Sequence, residues 1–213
     1  MDNFISSFIR ISNNLVSLNG APFFRGSAGE EFEGFIKQVY KSLGITYSTF
    51  YKMDNLSKLG FIAAEILLNT EKKIGFAPEK TGIFFQNSSS SLDTDFTYFN
   101  TIKDKENYFP SPAVFVYTLP NIVIGEICIR NKIKGENSFF IAETFDPEFM
   151  EAYVEELFAH ELIEYALCGW VELFEGNYEA FLYFVRSGKK LSENSSVKAK
   201  LHSTETLKKI FTE

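Results

Sequence analysis

Histidine and cysteine each occur twice in these 213 residues, and tryptophan once. Cys128 and Cys168 lie in apolar stretches and read as small buried hydrophobes of a reducing compartment, not as a disulfide. Two histidines are too few for a histidine metal cluster. His160 and Glu164, four residues apart, imitate the start of a zincin helix, but the second histidine of that motif is missing and no metal is expected. No apolar run reaches the ~18 residues that a spanning helix needs, so no membrane segment is expected. The opening MDNFISSFIRIS lacks a basic region ahead of an apolar one, so no secretory signal is expected, and a cytoplasmic location is the simplest. Basic charge is short as well. The net charge is −7, and no Lys/Arg patch is concentrated anywhere, which argues against nucleic acid and anionic membranes as partners. The Asn87–Ser91 run lacks the glycines and the lysine of a phosphate loop and reads as a helix-capping loop. No cofactor is implied.

Apolar and aromatic residues are abundant. Hydrophobic residues make up 45% and aromatics 16%, with 24 phenylalanines, enough for one domain with a substantial core. Phe4–Ser12 alternates and predicts a first strand. Residues 13–44, with Gly20, Pro22, Gly26 and Gly29, predict an irregular excursion. A helix follows from Asn55 to about Asn69, with Leu59, Ile62, Ala63, Ile66 and Leu67 as its apolar stripe. Thr81–Gln86 predicts a second strand, and a helix begins near Leu92. Asp146-Pro147-Glu148 is a helix start, with Asp as N-cap and Pro in the first turn. That helix should run to about His160. Its face of Glu148, Glu151, Glu155 and Glu156 is expected to meet water, because burying four unpaired carboxylates would cost several kcal/mol each. Residues 164–169 and 179–186 predict the last strands. Residues 187–213 read as a charged tail, with a short helix carrying Leu207, Ile210 and Phe211.

The most informative stretch is residues 110–143, PSPAVFVYTLPNIVIGEICIRNKIKGENSFFIAE. Leu119, Ile122, Val123, Ile127 and Ile129 recur at mostly three- and four-residue steps and predict one helix from Phe115 to Arg130, with Pro120 in its first turn. Gly135 then leads to a short strand, Ser138–Ala142. Leu119, Pro120, Asn121, Gly125, Ile129, Arg130, Lys134, Gly135 and Asn137 together closely resemble the β-ketoacyl synthases of the thiolase superfamily, with Glu136 where that family usually has proline. Lys52-Met53-Asp54 resembles its Arg-Met-Asp turn, and Gly169-Trp170-Val171-Glu172 its Gly-Gly-x-Glu.

The resemblance implies an α/β fold: a thiolase-like N-terminal half over residues 1–186, with a mixed sheet of about five strands and helices on both faces. It places the nucleophile at Thr144 whether counted forward from Gly135 or back from Gly169. A threonine hydroxyl attacks only beside a competent base, and neither His160 nor His202 matches the family's catalytic histidines. No catalytic residue is therefore assigned, and Thr144 and Phe145 are candidates to line an old acyl pocket. The resemblance points to a non-catalytic partner or accessory subunit in a fatty-acid or polyketide-type acyl pathway. The alternatives are an acyltransferase active only with a partner chain and a small-molecule (acyl) binder. It implies a homodimer, or a heterodimer with a synthase-like chain, joined through the strand at 138–142, with an acyl carrier protein as a further contact. In the resembled family the helix after the nucleophile is sandwiched between the two halves of the enzyme.

Overall fold

The computed structural model describes residues 2–191 and 199–212. Among these, eight strands form one mixed sheet. β1 (Phe4–Ser12), β2 (Leu15–Leu18) and β3 (Ala21–Arg25) form a meander. Then come α1 (Phe32–Ser42), α2 (Asn55–Ile74), β4 (Thr81–Asn87), α3 (Leu92–Asn100), α4 (Pro112–Phe115), α5 (Ile122–Asn131), β5 (Asn137–Ile141) and α6 (Pro147–Ala159). β6 (Tyr165–Phe174), β7 (Asn177–Arg186), α7 (Gly188–Leu191), β8 (Lys200–Leu201) and α8 (Thr204–Thr212) complete the described chain. The sheet order is β3-β2-β1-β7-β6-β4-β5, and β8 pairs with β1. β4 runs parallel to β5 and β6, and the other pairs are antiparallel. α1, α2 and α5 lie over one face of the sheet, and α6 and α8 over the other.

The architecture is the mixed sheet with helices on both faces that the sequence implied, but with eight strands in place of about five. The excess lies mainly in residues 13–44, which hold β2, β3 and α1 where irregular chain was expected. Asn13, Asn14 and Asn19 have positive φ, as does Gly20. Asparagine tolerates the left-handed region better than most residues, so Asn-Asn and Asn-Gly here are hairpin turns. α1 buries Phe32, Phe35, Ile36, Val39 and Tyr40, a stripe of period 3.6. The helix expected over 115–130 begins only at Ile122, because α4 ends at Phe115 and residues 116–121 are turns and bends. Pro120 lies outside both, Asn121 is the residue flanking the start of α5, and Leu119 and Ile129 are exposed. α5 instead buries Val123, Ile124 and Ile127 against α2.

β4 is buried at every residue. That is the signature of a parallel strand covered on both faces, and it explains why TGIFFQN runs apolar without alternating. Close packing constrains the glycines on either side. A Cβ on Gly135 would stand 2.3 Å from the Thr81 carbonyl oxygen. Gly169, at φ +148°, would put one 1.9 Å from the Phe181 oxygen.

The far end of α2 is tied to β7 by a buried ion pair. The Arg186 Nε donates to Glu71 Oε2 at 3.1 Å, and its Nη1 to the Gly75 carbonyl at 2.6 Å. The Ser6 and Ser7 hydroxyls donate to the other Glu71 oxygen. Breaking such a pair leaves a buried charge uncompensated, at a cost of about 3–5 kcal/mol. Glu71→Ala should lose stability on that scale in urea unfolding; a loss below about 1 kcal/mol would mean the pair does not anchor α2.

Candidate functional site

The carboxyl ends of β4 and β5 and the run-on of β6 converge at one end of the sheet, where ligands of open α/β sheets commonly bind. After β5 the chain passes through residues 142–146 into α6, and the Ala142 N–H donates to the Asn87 carbonyl, holding the two strand ends together. Beyond β4, the Asn87 side chain closes a turn with Ser90 through both its oxygen and its amide nitrogen. Glu172 of β6 then clamps the serine loop. Its Oε2 accepts from the Ser88 N–H at 2.6 Å, the Ser88 hydroxyl at 2.7 Å and the Ser89 N–H at 3.1 Å. Its Oε1 is buried with no partner among the described residues. The serine loop is thus a capped turn, with its donors spent on a carboxylate. The motif containing Glu172 was legible in the sequence, but its reach across to the serine loop was not, because β6 extends to Phe174 where a strand ending at Gly169 was expected. The Glu175-Gly176 turn, both residues at positive φ, carries it directly into β7.

Thr144 and Phe145 sit in the loop ahead of α6 and face different surroundings. Thr144 is exposed, and none of the described side chains hydrogen-bonds to its hydroxyl. Phe145 is buried, its ring 5.0 Å from Phe211, 5.5 Å from Phe181 and 6.4 Å from Tyr183. Asp146 holds the N-terminus of α6: its Oδ1 accepts from the Phe149 N–H at 3.0 Å, while its own N–H donates to Gln86 Oε1 at 2.9 Å. The positive end of the helix dipole, where a thiolate would gain most, is thereby served by a fixed carboxylate.

The other candidates are placed elsewhere. His160 lies past the end of α6, exposed, 2.8 Å from Glu156 Oε1, and Glu164 pairs with Lys190 at 3.2 Å. Cys168 is fully buried in β6, which pushes its thiol pKa up, and burial raises Cys128 as well. Both are poor thiolate formers. Lys52 and Asp54 border a cleft of 270 Å³ with Asn55, Asp93, Thr94 and Tyr117. There Asp54 accepts from the Ser57 N–H at 2.9 Å and the Thr94 hydroxyl at 2.6 Å, pinning α3 to the start of α2. Burial and the neighbouring Asp54 raise the Asp93 pKa. Larger cavities of 760 and 680 Å³ lie beside Glu155 and Glu164, and beside Cys128 and Lys132. None of these three takes in Thr144 or Phe145.

The glutamate face of α6 only partly meets water. Glu148 and Glu156 are exposed, whereas Glu151 and Glu155 are half-buried beneath the segment 199–212. They are satisfied there, each accepting hydrogen bonds from that segment, which removes the cost assumed for unpaired burial.

With this geometry the fold is that of a thiolase-like ketosynthase half. The chain superposes on the ishigamide ketosynthase/chain length factor with TM-score 0.66 and 14% identity, covering 89% of this chain and 63% of that one. On the ketosynthase ApeO in complex with its chain length factor ApeC from Xenorhabdus doucetiae, the TM-score is 0.58 at 13% identity, covering 88% of this chain and 80% of that one. On AntDE:AntF, a type II ketosynthase with its acyl-carrier protein, it is 0.63 at 13%, covering 93% and 65%. The chain thus spans less than two thirds of two of these structures. No family model and no curated protein matches the sequence.

The two loop residues with opposite roles give a direct check. Asp146→Ala removes an N-cap and should cost about 1 kcal/mol in urea unfolding, whereas exposed Thr144→Ala should stay within about 0.5 kcal/mol. Equal costs would contradict this assignment.

Proposed function

We propose that the chain is a non-catalytic ketosynthase-fold subunit that pairs with a second ketosynthase-fold chain in polyketide or fatty-acid assembly. The observation that carries this reading is the loop between β5 and α6. Covalent acyl transfer needs an activated nucleophile next to a base. Where the resemblance puts it stands Thr144, exposed, with no histidine bonded to it, and the helix terminus that would sharpen a nucleophile is capped by Asp146. His202 bonds Glu155, and His160 lies beside Glu156. The similar structures that pair a ketosynthase with a chain length factor support a partner role, and the one with an acyl-carrier protein supports contact with such a carrier.

The free edge of β5 is the proposed contact. β5 ends the sheet order, pairs only with β4 among the described strands and carries neither proline nor charge, the usual guards against edge pairing. Ile141 is exposed at its tip. Phe140 turns inward, its ring 4.8 Å from Phe149 and 5.1 Å from Tyr153, and Phe139 packs on Phe85. Ile141 is therefore the residue to change without disturbing the core.

Two outcomes are expected. Intact-mass analysis after incubation with malonyl- and acyl-carrier substrates should show no acyl adduct, and a stable adduct on Thr144 would sink the reading. Sedimentation equilibrium at tens of micromolar should show a dimer that Ile141→Lys converts to monomer; a monomer unaffected by that change would mean the edge is not the contact.

A further inference from the structure

The segment 199–212 covers the α6 side of the sheet, and its attachments are of an unusual kind. Its strand, β8, is two residues long and among the described residues pairs only with Phe4 and Ile5. Its helix, α8, has nine residues, too short to persist alone in water. Side chains from other elements also hold α8 at its two ends. At the N-terminus, Glu151 Oε2 of α6 accepts from both the N–H and the hydroxyl of Thr204, at 2.5 Å each. At the C-terminus, Arg10 Nη1 of β1 donates to the Phe211 carbonyl at 2.5 Å, with its guanidinium 5.5 Å from the Phe211 ring. An acid at the start and a cation at the end both favour the helix dipole. Between them, Leu207 and Ile210 are buried, and Lys208 reaches Glu148 at 2.8 Å. Just ahead of the helix, the His202 Nδ1 lies 2.7 Å from Glu155 Oε1, whose other oxygen is held by Asn3 at 2.6 Å.

Two further features point to a cover that can lift. The His202 Nε2 is buried with no partner among the described residues, and opening would expose it to water. The ring that α8 inserts, Phe211, lies 5.0 Å from Phe145 and 5.3 Å from Phe181. Phe145 directly follows Thr144, so Phe211 fills the apolar space immediately behind the candidate site.

We propose that residues 199–212 are an autoinhibitory strap: latched to α6 through Glu151 and Glu155, they seat Phe211 where an acyl chain would otherwise lie against Phe145 and Phe181. Lifting the strap breaks no covalent bond and needs no change in the sheet beyond releasing β8. The docking argument stands on the contacts alone, whereas the choice of an acyl chain as the excluded ligand rests on the ketosynthase-like reading above. The nature of the latch also makes the strap separable from the core. β4 and β6 are buried along nearly their whole length, whereas the strap is held on one face only, by Leu207, Ile210 and Phe211, and by polar bonds at the ends of one short helix. Local opening should therefore occur well below the free energy of global unfolding.

The test uses the full chain, the double variant Glu151→Ala/Glu155→Ala, and Phe211→Ala, with amide exchange and the binding of cis-parinaric acid, a fluorescent fatty acid, as readouts. Alanine suits the helix, so α6 should persist in the double variant. Amides of 200–212 should exchange at least tenfold faster in that variant while those of β4 and β6 keep their rates. Both variants should bind the fatty acid at least tenfold more tightly than the unaltered chain. If 200–212 keeps its exchange rate, or if it loosens only together with β4 and β6 or the variant fails to fold, the strap is an ordinary part of the core and the proposal is wrong. If the strap loosens but fatty-acid affinity is unchanged in both variants, it covers no acyl site; that result overturns the autoinhibition while leaving the partner-subunit reading to its own tests.

Discussion

A strand buried on both faces has to be covered twice, and the rest of this structure follows from that requirement. β4 is buried along its whole length and lies parallel between β5 and β6, so neither side of the sheet centre can be left to water. One cover is α2, itself buried on nearly every side, with α5 and α1 packed against it. The other is α6, which leaves part of β6 and β7 for a further element. In the resembled synthases that side meets the second half of the enzyme. Here Leu207, Ile210 and Phe211 of α8 take that place over Phe145, Phe181 and Tyr183. Apolar area removed from water is stabilising by about 25 cal/mol per Å², so the face has good reason to be filled by whatever segment can reach it.

In the resembled synthases the nucleophile stands at the tip of the corresponding strand, ahead of a helix whose dipole stabilises its anion. This chain keeps the strand, the turn and the helix, but has Thr144 exposed in the turn and Asp146 as the cap. The scaffold around it is fixed by close contacts: a Cβ on Gly135 would meet the backbone of β4, and one on Gly169 the backbone of β7.

Much of this was legible in the sequence. The helix start at Asp146-Pro147, the apolar stripe of α2, the buried character of β4 and the edge strand after Gly135 are each written in a few adjacent residues. The misreadings have physical causes. Glycines at 20, 26 and 29 suggested irregular chain, whereas Asn13-Asn14 and Asn19-Gly20 are tight turns whose φ signs close a meander. Period alone carried α5 back to Phe115, although the chain turns through 116–121, and Leu119 and Ile129 are exposed. Four glutamates on one face of α6 suggested a wholly solvated face because the partners of three of them, Thr204, His202 and Lys208, lie about fifty or sixty residues further on. Glu172 was visible as a motif residue, but its clamp on the serine loop spans 84 positions. No local pattern carries that information.

The account holds that this chain closes one face of its sheet with its own α8 and keeps the β5 edge for a partner. Amide exchange measured across a range of protein concentration tests both parts together. As concentration rises from below one micromolar to tens of micromolar, amides of residues 137–141 should gain protection, while those of α6 and α8 should not change. Protection gained over α6 and α8, with the β5 edge unaffected, would contradict it.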